Sequence, residues 1–278
     1  QHMQRKPRRR RKPKKWLYPL SVEREYEKLL LKLCDDMQAE IEKRLPLLRD
    51  VQQDGLDDIP AGSGWFERLR QWLLTISASL SASKEAATTT MKLLLRQVDR
   101  FNRRQFHEVI RSVYGVEVFT HEPWLLELLG GFEADNIRLI QSIPAQYLET
   151  LHGKIVATIR NGGNHRDLMA LIRDSYHLPK SRARLIARDQ TCKLNGQLTR
   201  YRQQQIGVEE YVWRGVLDSR EREHHVEREG EKFRWSEPPK GGHPGMDFQC
   251  RCYAEAVFPD LEDLKGVVYE HPLRPSAG

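Results

Sequence analysis

Cys250 and Cys252 stand one residue apart, in a chain with only four cysteines among 278 residues. The surrounding stretch, 218–252, adds His224, His225, His243 and an Asp218/Arg220 pair. Thiolates and imidazoles at short spacing are the ligands that zinc prefers, held at the corners of a tetrahedron. In extended backbone, residues two apart face the same side, so both sulfurs would point one way and Arg251 the other. A disulfide between them is disfavoured, because their Cα atoms lie too far apart and their side chains run parallel. The candidate metal set is therefore His225, His243, Cys250 and Cys252, holding one structural zinc. The Cys-x-Cys spacing is a weaker zinc signal than Cys-x-x-Cys. The other reading is a buried polar cluster, with hydrogen-bonded histidines and cysteines packed as small apolar groups.

Asp218 and Arg220 are also two apart. They could form a turn-stabilising ion pair or orient the histidines from behind. Arg251 is a fixed cation that could take Asp218 bidentately and tie the two ends of the segment together. Gly230 belongs with Asp218, Arg220 and Arg251 to the structural motif of the segment. A catalytic use is open to the same residues, a Cys/His pair as nucleophile and base or histidines with Glu221, Glu223 or Glu227 in a nuclease. The chain shows no phosphate-binding glycine loop, no Gly-x-Ser-x-Gly and no His-Glu-x-x-His. The expectation is that it is not an enzyme.

The order Asp218-x-Arg220, His225, Gly230, Pro238-Pro239, His243-Pro244 and Cys250-Arg251-Cys252 resembles the phage Mu F-like minor head protein family, also called the phage head morphogenesis family. A second match lies at Arg182-Ala183 and Ile186-Ala187-Arg188-Asp189-Gln190-Thr191, with Gln190 where the family usually has an acid. The resemblance covers roughly residues 150–258. It implies a minor capsid protein that associates with the portal protein, scaffold and procapsid and accompanies DNA. The implied location is the capsid interior of the virion, and the host cytoplasm during assembly. The rival reading is a metal-dependent nuclease or toxin-like domain delivered with the DNA. A third is a plain DNA-binding protein.

The elements that must position these residues are mostly helical. Leu29, Leu30, Leu33, Met37, Ile41 and Leu45 recur at spacings of three and four and predict a helix over 21–49. Pro46, Asp54-Gly55 and Pro60 to Gly64 break it. Further helices are expected from Trp65 to about Leu80, from Ser81–Ser83 towards Val113, and over 123–142 with an interruption at Gly130-Gly131. Pro144 is expected to open the next, which Asn161-Gly162-Gly163 stops. Asn164 caps a short helix, His177-Leu178-Pro179 reads as a turn, and Ser181 caps a long helix. Its stripe Ala187, Thr191, Leu194, Leu198 and Tyr201 suits packing within the protein better than a partner helix. Residues 211–217, 233–235 and 252–258 read as strands. The fold class is α+β, a predominantly helical body with a small C-terminal β-containing Cys/His module. The expected organisation is a basic arm over 1–20, a helical domain over 21–160, the head-morphogenesis-like domain over 161–260 and a tail over 261–278.

Net charge is +7, but Arg5, Lys6, Arg8, Arg9, Arg10, Arg11, Lys12, Lys14 and Lys15 supply nine positive charges, so the rest of the chain stands at about −2. The basicity is thus an arm, and a polyanion is its natural partner. Nucleic-acid binding through these nine residues is the expectation, and a merely solubilising arm the alternative. No apolar run approaches the ~20 residues of a membrane helix. The basic start leads into no apolar signal-like stretch, and Gln1-His2 before Met3 reads as a remnant. Four cysteines make no disulfide framework, so a reducing compartment is expected.

Overall fold

A computed structural model describes residues 13–48, 64–216 and 221–270. Helices dominate: α1 (Leu20–Arg44), α2 (Gly64–Ser79), α3 (Ser81–Tyr114), α4 (Leu125–Arg160), α5 (His165–Ser175) and α6 (His177–Gln205). A strand, β1 (Glu117–Thr120), lies between α3 and α4. After α6 come β2 (Glu210–Arg214), the single turn α7 (Glu223–Val226), β3 (Lys232–Arg234), β4 (Tyr253–Ala256) and β5 (Val267–Glu270). The α+β class expected from the sequence is what the chain adopts.

The chain forms two compact units, each built from separated segments. One consists of Ser21–Leu95 and Gly130–Arg188. Its core is an apolar seam of Met37, Ile41, Leu69, Ile76, Leu151 and Ile172. Within it the Tyr26 hydroxyl donates to Asn136 Oδ1 at 2.6 Å, which satisfies a polar tip that burial would otherwise strand. The Asn164 cap is present in full: its side chain accepts from the Asp167 N–H, and the Asp167 carboxylate accepts from the Asn164 N–H.

Two expected breaks are absent. Helix α4 runs unbroken through Gly130-Gly131 and contains Pro144. An interior proline costs about 3 kcal/mol. The side chains of Ile140, Ile143, Tyr147, Leu148, Leu151 and Ile155 are all buried along this helix, at roughly 1.5–3 kcal/mol each, so continuation outweighs the kink. Helix α6 begins at His177, not at Ser181. Pro179 falls in its first turn, where a missing N–H removes no intrahelical bond.

The second unit takes in residues up to Leu20, Arg96–Leu129 and Asp189 onward. Strand β2 is its centre, antiparallel to β3 on one side and β4 on the other. Alternation along β2 buries Tyr211 and Trp213 on one face. Those rings join Trp16, Phe106, Ile110 and Trp235 in one core. From α6 the buried Gln203 side chain donates to the Ala254 carbonyl at 2.9 Å and accepts from Trp235 Nε1 at 3.1 Å. It pins the helix to both outer strands. A second, two-stranded sheet pairs β1 with β5. The heptad-like stripe packs within the protein: Ala187, Thr191, Leu194 and Leu198 are buried. Tyr201 stacks on Trp124 with ring centroids 4.9 Å apart.

Helix α6 meets the His243–Cys250 loop backbone to backbone. A Cβ on Gly196 would sit 2.8 Å from the Pro244 carbonyl, and one on Gly245 only 2.9 Å from the Cys192 carbonyl. Gly245 also has φ +86°, a conformation that costs an L-residue roughly 1–2 kcal/mol. Gly245→Ala combines that strain with overpacking and is expected to lower stability by about 2–3 kcal/mol in urea unfolding. A variant as stable as the parent would show that helix and loop are not in this contact.

Candidate metal centre

The Cys/His cluster is assembled by three pieces of backbone. The single turn α7 carries His225, and strand β4 begins immediately after Cys252. The Asp247–Cys250 turn carries the other sulfur, with the Cys250 N–H donating to the Asp247 carbonyl at 3.1 Å. His225, Cys250 and Cys252 are all buried, at 3%, 4% and 7% exposure. Their ligand atoms lie within 4.8 Å of one another. His225 Nδ1 is 3.7 Å from each sulfur.

That distance suits a hydrogen bond to either sulfur, although one ring nitrogen cannot engage two thiols well at once. It also matches the edge of a zinc tetrahedron, since Zn–S near 2.3 Å and Zn–N near 2.0 Å place ligand atoms about 3.6 Å apart. The donor set therefore fits zinc: two soft sulfurs and one imidazole nitrogen converging on one point. The cysteines are not disulfide-bonded.

The two thiols and the imidazole shift one another's proton affinities. Hydrogen bonding from Cys252 pulls the Cys250 thiol down to about 5, opposed by burial and helped by His225 and the Gly245 N–H. Hydrogen bonding to Cys250 pushes Cys252 up, as do burial and the Glu221 carboxylate. The bond to Cys250 raises His225, against the pull of burial. Metal binding at such a set would displace the protons of the thiols.

The other side of the His225 ring faces a carboxylate. His225 Nε2 lies 3.2 Å from Asp247 Oδ2. Asp247 in turn accepts from Arg222 Nη1 at 2.7 Å and from the Phe248 N–H at 2.7 Å. The contact is one of proximity, since Nε2 makes no hydrogen bond; a small turn of the ring would let Asp247 orient the imidazole as carboxylates orient metal-bound histidines. Exposed His224 also reaches Asp247, at 3.5 Å. Glu221 meets the cluster from another direction, accepting from the Cys252 thiol at 3.1 Å. Sequence reasoning placed Asp247 nowhere and treated Glu221 only as a nearby acid. Nothing in their spacing marks them, because only the fold of the loop brings them in.

His243 does not join the three. Its Nδ1 is 2.9 Å from the Tyr211 hydroxyl, and its ring lies against Tyr211 and Trp235, with centroids at 5.6 and 4.8 Å. Burial pushes it down to about 4, with Arg200 acting in the same direction. A folded value below the unfolded one near 6.5 means that the folded chain binds fewer protons between them. His243 therefore adds stability above pH 6.5 that is lost as pH falls towards 4, on the order of 2 kcal/mol. Denaturation at pH 7 and pH 4.5 checks this. His243→Gln, which keeps a partner for Tyr211, is expected to flatten the pH dependence, and an unchanged slope would contradict it.

Gly230 has φ +81°. Its N–H donates to the Trp213 carbonyl at 2.9 Å, closing the turn between α7 and β3. The Arg251 guanidinium sits over the Tyr18 ring, 5.4 Å from its centroid. Asp218 and Arg220 lie outside the described residues, as do Arg5, Lys6, Arg8, Arg9, Arg10, Arg11 and Lys12. Of the arm, Lys14 is tied down: its N–H donates to Ser112 Oγ at 3.1 Å and its ammonium pairs with Glu108 at 2.7 Å. Lys15 is exposed, and Trp16 is buried in the core of the unit. Asp189 links the two sequence motifs, accepting from the Gln249 N–H at 3.0 Å and from Lys193 at 2.7 Å. Among the described residues, no helix is long and apolar enough to cross a membrane.

Residues 149–255 match the family described as Phage Mu protein F like protein, as the resemblance read from the sequence implied. The matched stretch holds Asp189 and the whole Cys/His cluster. A relative from Haemophilus influenzae, itself described as an uncharacterized protein, is 34% identical over 179 residues. Those residues are 63% of this chain and 39% of the relative, so the chain spans about two fifths of that protein's length. No solved structure matches.

Proposed function

We propose that the chain is a minor capsid protein acting in the head morphogenesis of a tailed phage, with an assembly role and no reaction. The observation that carries this reading is that the family match over residues 149–255 takes in the whole Cys/His cluster. The cluster's ligand atoms are buried, which suits a structural clasp better than a centre that substrate must reach. His225, Cys250 and Cys252 would hold a zinc ion, whose contribution is to cross-link α7, the loop and β4. A module rich in glycine and proline, with short strands, gains more from such a link than a large core does. The partners would be the portal, scaffold and other capsid proteins, in the host cytoplasm during assembly and then in the capsid interior.

Mass spectrometry of purified procapsids and mature heads from the phage that encodes the chain tests the proposal. A few copies per particle are expected, and particles that assemble normally without it would overturn the role.

The basic arm would contact packaged DNA, because Trp16 and Lys14 fix its base on a folded unit while Lys15 points to solvent. Removing residues 4–15 is expected to weaken DNA binding at least tenfold at low salt and to flatten its salt dependence. Unchanged binding would place the DNA contact elsewhere.

One observation favours the nuclease reading. His224, His225 and Asp247 form a second ligand-like group, and His224 is exposed. That reading requires metal-stimulated DNA cleavage that disappears in a folded His225→Ala protein.

A further inference from the structure

Three convergent ligand atoms leave a zinc tetrahedron one corner short, and the sequence offered His243 for it. We infer that Glu221 supplies the fourth ligand of the clasp, and that His243 is a packing and hydrogen-bonding residue outside it. The inference rests on the clasp reading above and names one ligand of that same site.

Three observations carry it. Glu221 Oε1 lies 3.1 Å from Cys252 Sγ, in direct contact with one of the three ligands. Its carboxylate lies directly against Gly215, where a Cβ would meet Glu221 Oε1. His243, by contrast, is committed. Its Nδ1 is held by Tyr211 and its ring packs against two aromatic rings, which leaves only the buried Nε2 without a hydrogen-bond partner.

The chemistry agrees. A glutamate oxygen is an ordinary zinc ligand at about 2.0–2.2 Å. The same carboxylate accepts the Cys252 S–H, so it lies next to the sulfur that would bind the ion. With both thiolates and Glu221 ionised, the set carries three negative charges around a dication. The single excess negative charge faces Asp247 and Arg222 through the His225 ring.

Cobalt(II) substitution reads the shell directly, because the ligand-field band reports coordination number and the charge-transfer band reports thiolates. The full chain is loaded with cobalt alone, alongside Glu221→Gln, Glu221→His and His243→Phe, with circular dichroism as the folding control. The wild type is expected to show a tetrahedral spectrum with thiolate charge transfer. Glu221→Gln is expected to weaken cobalt binding by ~10–100-fold and to shift the ligand-field band, since a neutral amide or water replaces the carboxylate. Glu221→His is expected to restore tight four-coordinate binding, and His243→Phe to leave the spectrum as in the wild type. A Glu221→Gln spectrum and affinity equal to wild type, or a change on His243→Phe instead, overturns the inference while leaving the clasp standing. A wild-type chain that binds neither cobalt nor zinc overturns both.

Discussion

A chain carrying Cys250→Ser and Cys252→Ser is expected to purify without zinc and to lose most of the stability of the unit built on β2. Structural zinc contributes apparent binding free energies of about 10–16 kcal/mol in small metal-folded peptides. Only part of that is realised where an aromatic core of Tyr211, Trp213 and Trp235 already exists. Even a loss of about 5 kcal/mol is comparable with the whole stability of an ordinary domain. The expected result is a fall in the midpoint of this unit's thermal transition by more than about 10 °C. Near-ultraviolet circular dichroism from the tryptophans should be lost at 37 °C. Far-ultraviolet helicity should largely persist, because the seam of the other unit contains neither cysteine. A double variant melting within about 3 °C of the parent would return the cluster to a hydrogen-bonded packing motif.

The second large effect is expected far from any metal. Arg202 is completely buried on α6, with its guanidinium 2.5 Å from Asp99 and 2.7 Å from Glu122. A third bond reaches Asn102 Oδ1 at 2.7 Å. Asn102 donates onward to Asn195 and Thr199 at 2.9 Å each, so the network ties α3 to α6. Burial pushes the Glu122 carboxyl up, but Arg202 and Arg103 more than offset this and hold it below its ordinary value. Its stabilising contribution is therefore present above the ordinary carboxylate range and lost as pH falls through it.

Arg202→Met removes the only fully buried cation in this network and leaves Asp99 and Glu122 to share the half-exposed Arg103, at 3.7 and 2.8 Å. Breaking a buried pair from one side typically costs 3–5 kcal/mol, and urea unfolding should show a loss of that size. Adding Glu122→Gln should recover about 1 kcal/mol, because it removes one of the two carboxylates that then share a single cation. If the double variant is less stable than Arg202→Met, the loss came from packing and not from charge.

Much of this was legible in the chain. Alternation at Tyr211 and Trp213 placed β2, apolar spacing placed the long helices, and Asn164 placed a cap that is present with both its bonds. His225, Cys250 and Cys252 declared themselves by residue type. What could not be read has physical reasons. The β1–β5 pairing joins two four-residue strands about 150 positions apart, and four residues carry too little pattern to recognise. The breaks expected in α4 follow local propensity, which the burial of a long apolar face overrides. Arg202 sits in a helix with Arg182, Arg184, Arg188 and Arg200, and nothing local separates the buried one from its neighbours. Glu221, Asp247 and the displaced His243 depend on how a loop folds back on α6 at Gly196 and Gly245, a contact that no local pattern encodes.

The claim on which the rest depends is that this unit is closed by a metal. Elemental mass spectrometry of the full chain, purified without added metal or chelator, measures it directly. The expected result is one zinc per chain, removed by a chelator together with the thermal stability of the β2 unit. A chain that contains no zinc, takes none up when it is offered, and melts at the same temperature with or without chelator would contradict the account.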